Sequence, residues 1–588
     1  MKKISETYDV AVVGGGMAGV CAAVASARNG ARTVLIQDRP VLGGNASSEI
    51  RVHINGAQGL QGPHWIERET GILEEILLVN RARNPQESWP FWSHLIHDFV
   101  TREDNLNLHL NTHAYEAETD GPRISAVRCH QVTTEVTLLI EAKLFVDCSG
   151  DGLLGASAGA EWRMGREGKD EFGESFAPDK PDHWTMGSSL FFWARDTGKP
   201  VPYEPPHYAH KFKSCDDLKY RPHGDAKHGH WWIEVGTEDD PIGEQEQIRD
   251  KLLGYLHGLW DHIKNSGQHP EAENYALEWV GSVPGKRESR RFVGDHILTE
   301  GDLLENRQFP DVVAFGGWPI DDHCPGGIES PEVPPTDFFH HFEKVYQIPL
   351  RSLYSRNIEN LLFAGRNASC SHIAMASSRV MATCAVMGQA AGTAAAMCVA
   401  TDKSPRQIAS DDIAELQQRL LRDDAYIPNC SADGEGDLAR AAALSASGTS
   451  SGNVELLIDG VGRDEDEVCH HWESGGLPAW VELAWPEPAL LSRIEVKLDT
   501  NLHRPIQMSP YEGVRSKQLP GLPPELVSDL VVEAEADGAW KELFSLGRNR
   551  RRLVRQSFPP VRAAKVRIHL AKTYGHPTAR MYEVRCYG

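Results

Sequence analysis

Apolar runs and polar breaks alternate through the first 160 residues. Asp9–Val13 (DVAVV) reads as a short buried strand and Thr33–Ile36 as a second. Between them Met17–Asn29 reads as a small-residue helix with Ala22, Ala23, Ala25 and Ala27, closed by Gly30. Gly71–Ala82 and Trp92–Glu103 have the spacing of amphipathic helices. Leu106–Ala117 alternates as one strand, and Arg123–Cys129 and Glu135–Ile140 read as meander strands leading into Lys143–Gly152. From Gly165 to Gln347 the chain is rich in Trp, His, Pro and Gly, and its periodicity is irregular. The exception is Gln247–Lys264, where Ile248, Leu252, Leu253, Leu256, Trp260 and Ile263 mark one helical face. Leu361–Ala364 is again a strand, followed by one long helix rich in small residues, and Gln407–Arg422 reads as a helix. Ser431–Gly452 has the Gly, Ser, Ala and acidic content of a linker. Beyond it, Trp480–Trp485, Leu491–Leu498, Leu530–Ala534, Ala564–Leu570 and Ala579–Tyr587 are short alternating stretches, which predict an all-β sandwich.

The turn between the first strand and helix is Gly14-Gly15-Gly16-Met17-Ala18-Gly19, a G-x-G-x-x-G in full strand–turn–helix–strand context. Gly14 permits the tight turn, Gly16 lets a pyrophosphate approach the backbone, and Gly19 lets helix and strand pack closely. The helix N-terminus offers its free N–H groups to the phosphates. The expectation is a Rossmann-like dinucleotide-binding fold. The ribose-binding position at the end of the second strand reads Gln37-Asp38, where such folds usually carry an acid; either residue is a candidate.

Composition narrows the partners. At 588 residues the chain has room for two or three domains. A net charge of −23 argues against nucleic acid and anionic membranes. Eleven scattered cysteines, none in C-x-x-C spacing, predict reduced thiols and a cytoplasmic location, and no apolar leader precedes the first strand. Val380–Ala400 is uncharged and long enough to span a bilayer. Its Ala, Gly, Thr and Gln content instead suits a helix buried in a protein core.

After the second strand the chain reads LGGNASSEIRVHINGA, with a second glycine pair at Gly43-Gly44. Here it resembles the FAD-dependent oxidoreductases of the glutathione-reductase type, and more closely a bacterial subfamily carrying LGGNASSEIR-x-H-x-NGA, over about Tyr8 to Ala400. The resemblance implies that FAD is the cofactor, held without a covalent bond. It implies further that Gly43, Gly44, Asn45 and Ser47 approach it, and that Arg51, His53 and Asn55 face flavin or substrate. Gly150 and Asp151 lie on a returning strand end, and Gly365, Arg366 and Asn367 on the ribityl and pyrophosphate side. The pieces NVELLIDG, WVELAW, LSRIEVKLD, VRIHL and YEVRCY are similar to discoidin-like, galactose-binding-like sandwiches. The resulting fold class is α/β with an inserted α+β substrate domain and an all-β sandwich. The domains run 1–164 (FAD-binding, first part), 165–347 (substrate), 348–430 (FAD-binding, second part), 431–452 (linker) and 453–588 (accessory sandwich, outside the cofactor site).

The expected reaction is hydride transfer from an alcohol carbon of a small molecule, a carbohydrate or polyol, to flavin N5. A base must take the hydroxyl proton, and histidine suits that work near neutral pH. His53, His323 and His372 come from three segments, with His372 favoured; Arg287, Arg290 and Arg379 orient substrate or stabilise an oxyanion. Redox-neutral elimination or epimerisation, alkene reduction, and a sugar-binding protein without catalysis are the alternatives, and a homo-oligomer is left open. His223, His228 and His230, and Cys469-His470-His471, do not have zinc spacing, so no metal is expected.

Overall fold

The structure is a computed structural model that describes residues 2–58, 60, 66–465 and 468–588. It comprises two units. One holds residues up to Glu67, Glu87–Ile413 and Gln507–Ser516; the other holds Arg68–Gln86, Ala414–Ile506 and Lys517–Gly588.

The first unit is built on a mixed sheet. Strands β1 (Lys2–Val13), β2 (Thr33–Ile36), β3 (Leu106–His109) and β6 (Val136–Asp147) lie in the order β3-β2-β1-β6 and run parallel. The far edge of β6 is shared. Its Val136–Glu141 half pairs antiparallel with β5 (Arg123–Gln131), which pairs with β4 (Thr112–Asp120). Its Phe145–Asp147 end pairs parallel with the strand Leu361–Phe363. Val13, Ile36, Asp147 and Phe363 therefore end at one edge of the sheet, and the chain leaves each of them into the same crevice.

Helix α1 (Met17–Arg28) and the helix Met381–Thr401 pack backbone to backbone beside this sheet. A Cβ added at Gly388 or Gly392 would stand 2.1 or 2.0 Å from the carbonyl oxygens of Ala18 and Ala22. This explains the uncharged composition: small residues allow the two axes to approach, and the helix is buried along almost its whole length.

Several local expectations change. Leu106–Ala117 is two strands, because Asn111 takes a left-handed φ of 52° and turns the chain from β3 to β4. Glu135–Ile140 and Lys143–Asp147 are one continuous strand. The long helix after Asn367 is two: His372–Ser378, capped by the Ser371 hydroxyl, and Met381–Thr401, with Arg379 and Val380 at the break. Gln407–Arg422 is likewise split into Pro405–Asp411 and Ile413–Arg422. The middle of the unit consists of two- and three-stranded pieces around the helix Gln245–Asn265, whose Ile248, Leu252, Leu256 and Trp260 are buried with Phe192, Trp232 and Ile233.

The second unit is the all-β, sandwich-like region. Thr449–Gly452, Trp472–Ser474, Arg580–Tyr587, Ala479–Leu498, Leu553–Thr573, Val527–Ala536 and Ala539–Leu546 follow one another in the sheet, with Ala443–Ala446 added to Ala479–Leu498. Register shifts in the 20-residue strand Ala479–Leu498 bend it; Leu553–Thr573 follows both halves along one edge, while the other edge takes Ala443–Ala446 on the first half and the strand Arg580–Tyr587 on the second. Trp472, Val481, Leu483, Ile494, Val532, Ile568 and Val584 fill the core.

Four of the expected boundaries are corrected. The second FAD-binding part ends at Ile413 and not at 430, since residues from Ala414 belong with the sandwich. The stretch 431–452 is not a bare linker, since it supplies two strands whose backbone groups are paired. Arg68–Gln86 belongs with the sandwich. There Glu74 is buried against Arg68 (2.7 Å) and Arg552 (3.6 Å), and the Arg68 guanidinium donates to the Asn501 carbonyl at 3.1 Å. Gln507–Ser516 leaves the sandwich sequence and is part of the first unit.

Candidate functional site

The crevice at the carboxyl edge of the sheet is formed by glycine-controlled backbone. Gly14 has φ 104°, and a Cβ there would stand 2.3 Å from the Cys148 carbonyl oxygen; at Gly19 it would stand 1.8 Å from the Gly14 carbonyl oxygen. Both glycines are demanded by the protein's own packing. Gly16 differs. It caps α1 in extended conformation without a side-chain cap, and the nearest atom to an added Cβ is Gly44 Cα at 3.9 Å. Met17 and Ala18 open the helix above it. Gly43 (φ 110°) and Gly44 (φ 56°) lie on this turn, with Gly43 N–H donating to the Gly15 carbonyl at 2.8 Å.

The Gln37 amide is engaged by the protein itself. Its Oε1 accepts the Gly15 N–H at 2.7 Å and its Nε2 donates to the Val41 carbonyl, whereas Asp38 is exposed at the end of β2. Asn45 donates to the Lys286 carbonyl at 3.0 Å, and Ser47 is buried at the end of the short turn Gly44–Ala46.

The third wall follows Asp147. This fully buried carboxylate accepts from Ser149 and Gly155 N–H groups, at 3.0 and 2.9 Å, and from the Asn367 amide at 3.2 Å. Asn367 Oδ1 is buried without a partner, 3.4 Å from a Cβ added at Gly365, and Ala18 Cβ is 3.6 Å from the same point. Gly150 (φ 78°) lies against the Arg366 guanidinium. Asp151 is bound to Arg366 (2.6 Å), Lys286 (2.7 Å) and Ser289 (2.8 Å). Burial raises its carboxyl, but Arg366 and Lys286 outweigh burial and hold it well below the carboxylate range. Asp151 therefore organises the Arg366 and Lys286 cations at this wall. Arg290 joins the same group, donating to the Asp151 carbonyl at 3.3 Å with its guanidinium 5.1 Å from the Trp162 ring centre.

The catalytic candidates separate sharply. His372 is the first residue of its helix, buried between two carboxylates. Nδ1 is 3.0 Å from Glu288 Oε2 and Nε2 is 3.2 Å from Asp322 Oδ1. Burial lowers its pKa, but Glu288 and Asp322 carry it to about 10. Such an imidazolium donates on both sides and has no lone pair to offer, so the expectation that His372 is the base is corrected.

His323 ends the strand Ile320–His323, which pairs with Thr336–His340. Its Nδ1 is 2.6 Å from Glu234 Oε2, while Nε2 is 3.5 Å from Arg379 Nη2 and 3.7 Å from Asp321 Oδ2. Burial pulls His323 down, and Glu234 and then Asp321 raise it above its ordinary value. Glu234 is itself pushed up by burial and brought down to about 2 by Arg287 and His323. Arg379 donates to the Asp321 carbonyl at 3.0 Å, Arg287 lies 3.5 Å from Glu234, and the Trp231 ring is 4.9 Å from His323.

His53 reaches this group through Tyr511: its ring is edge-on to Tyr511 at 5.2 Å, Tyr511 meets His228 at 4.7 Å, and the Arg287 charge acts on the Tyr511 hydroxyl. Burial pushes His53 down to about 4 and, foremost among its causes, Tyr511 up out of the phenol range. Arg51, at φ 66°, stacks on Trp279 at 3.9 Å and is lowered to about 10 by burial.

The structure thus joins His323, Arg379 and Arg287, brings His53 beside them through Tyr511, and leaves Arg290 in the Asp151 group. Sequence reading missed Glu234, Glu288, Asp321, Asp322 and Tyr511 as site residues. The acids adjoining His323 in WPIDDHCPGG were a usable signal, and Tyr511 offered none.

Among solved structures, the chain is similar to chitosan-binding module 1 derived from chitosanase/glucanase from Paenibacillus sp. IK-5, at 14% identity and a TM-score of 0.20, over 26% of this chain and 98% of that one. It is also similar to the family 32 carbohydrate-binding module from Streptococcus pneumoniae EndoD, at 17% identity and a TM-score of 0.20, over 26% and 98%. An open cradle at Gly16, uncapped helix N–H groups and the unpartnered Asn367 oxygen fit a dinucleotide. Residues 9–420 match the FAD dependent oxidoreductase family, and the chain belongs to it as an FAD-dependent oxidoreductase.

Proposed function

We propose that this enzyme oxidises an alcohol carbon of a carbohydrate or polyol, with His323 as the base. The observation that supports it is the Glu234–His323 pair. Glu234 accepts from Nδ1–H, which turns the Nε2 lone pair toward Arg379. In this reading the sheet is a Rossmann-like fold of the glutathione-reductase type. Gly14–Gly19, Gly43–Ser47 and Gly365–Asn367 would hold FAD, with Asp38 available to its ribose. FAD supplies the hydride acceptor. His323 Nε2 takes the hydroxyl proton as the carbon–hydrogen bond gives up its electron pair, leaving a carbonyl. Arg379 and Arg287 face the negative charge that develops on oxygen, and Trp231 offers a ring face for a sugar. His372, held as a cation between Glu288 and Asp322, keeps the Asp322–His323 strand end in place.

The test is anaerobic mixing of FAD-loaded protein with a panel of aldoses, ketoses and polyols. Loss of the oxidised-flavin absorption with a member of the panel, slowed roughly a hundredfold or more in His323→Ala, is expected. Bleaching at an unchanged rate in His323→Ala overturns the assignment.

A further inference from the structure

Four donor side chains from separate short stretches of the middle segment meet in one place. Cys215 opens the turn Cys215–Leu218, and His223 follows it. His262 is in the last turn of the helix Gln245–Asn265, and His269 immediately precedes the turn Pro270–Ala272. The Cys215 Sγ lies 3.4 Å from His262 Nε2 and 3.7 Å from His269 Nε2, and these two nitrogens are 3.2 Å apart. The His223 ring centre is 5.3 and 5.0 Å from those of His262 and His269. One donor atom from each of the four lies within 4.8 Å of the others.

These separations can be compared with a zinc tetrahedron. Metal–sulfur and metal–nitrogen bonds of about 2.3 and 2.0–2.1 Å give S···N edges of about 3.5 Å and N···N edges of about 3.3 Å. Two of the three outer nitrogens are also engaged, while His262 Nδ1 is buried without a hydrogen-bond partner. His223 Nδ1 donates to the Arg221 carbonyl at 2.5 Å, and His269 Nδ1 faces the Glu271 carboxylate at 3.4 Å. A carbonyl or a carboxylate there fixes the proton on Nδ1 and leaves Nε2 as the inward lone pair, as in metal-bound histidines. His223 is thus drawn to Cys215, His262 and His269, not to its sequence neighbours His228 and His230, which is why spacing along the chain hid the set.

We propose that Cys215, His223, His262 and His269 bind one zinc ion. Zinc binding displaces the Cys215 thiol proton to solvent, and the thiolate with three neutral imidazoles completes four-coordination. Four protein donors leave no open position, so the site is structural. It ties the stretch between Asp196 and Glu234, which has turns but no strand or α-helix of its own, to the end of the helix Gln245–Asn265. Trp231 and Glu234 emerge from that same stretch.

The test is metal analysis of the full-length protein, purified without a metal-affinity tag and dialysed exhaustively. About one zinc per chain is expected, falling to background in Cys215→Ser and His262→Gln. Where a variant does not fold, wild-type protein stripped of metal is titrated with Co²⁺. A thiolate-to-cobalt charge-transfer band and tetrahedral d–d bands saturating at one equivalent support the site. Background zinc in the wild type together with no such bands overturns it, as does wild-type zinc content in folded Cys215→Ser.

Discussion

The three glycines of the first turn should fail in two different ways when each is changed to alanine. At Gly19 the new Cβ would stand 1.8 Å from the Gly14 carbonyl oxygen, against the 3.4 Å of ordinary contact. Backbone must move by about 1.6 Å in a close-packed core, and overpacking of that kind costs about 3 kcal/mol or more. At Gly14 the contact is 2.3 Å from Cys148 and φ is 104°, which adds about 1–3 kcal/mol of backbone strain. Gly16 has ordinary backbone angles and nothing within 3.9 Å of the added carbon, so Gly16→Ala should cost the apoprotein only the weaker N-cap preference of alanine, about 0.5–1 kcal/mol. Its Cβ instead occupies the cradle. Losing about two charge-assisted hydrogen bonds to a pyrophosphate, about 3 kcal/mol, weakens FAD binding roughly a hundredfold, and Gly16→Val should do so further. Urea unfolding of the apoproteins and FAD titration by fluorescence quenching measure both quantities. Gly16→Val with wild-type FAD affinity, or Gly16→Ala with an unfolding midpoint as low as that of Gly19→Ala, would refute this account of the turn.

Flavin reduction by substrate should rise with pH through a limb above the ordinary histidine value, because Glu234 raises His323 and the base works only when neutral; Glu234→Gln should move that limb to lower pH, and an unmoved limb excludes His323. His372 is raised from 6.5 to about 10, so its contribution to stability is complete below 6.5 and lost as pH rises through about 10. Melting temperature should fall across that window, and in Glu288→Gln the fall should be smaller and end at lower pH. A chain ending at residue 430 lacks Tyr511 and the rest of Gln507–Ser516, and should lose turnover even on the smallest substrate. Unchanged turnover would show that this segment is dispensable.

What was legible in the sequence was local. The turn Gly14–Gly19 and its flanking strands and helix announce themselves as one short motif, although the contact that demands glycine at Gly14 is with Cys148, far along the chain. The chemistry of the histidines was not local. His372 looked like a base because its carboxylates, Glu288 and Asp322, lie 84 and 50 residues away, and His323 gains its partner Glu234 across 89 residues. Side-chain type gives no hint of which acid will face which ring. Ser431–Gly452 read as a linker because the strands Ala443–Ala446 and Thr449–Gly452 are made of small, half-exposed residues, and their stability lies in backbone pairing that leaves no hydrophobic alternation.

The interleaving of the two units along the chain has a consequence for synthesis. Arg68 donates to a carbonyl 433 residues further on, an interval that a ribosome adding about 5–20 residues per second takes about 20–90 s to cross. Through that interval the helix Ile72–Arg83 has left the tunnel with Ile72, Leu73, Ile76 and Leu77 lacking the strands of their own unit. The FAD-binding unit is likewise complete only when Ser516 has emerged, so neither unit can finish folding behind the other. Chaperone capture of nascent chains should be strongest between these two points, and early termination should yield products for degradation rather than a smaller working enzyme.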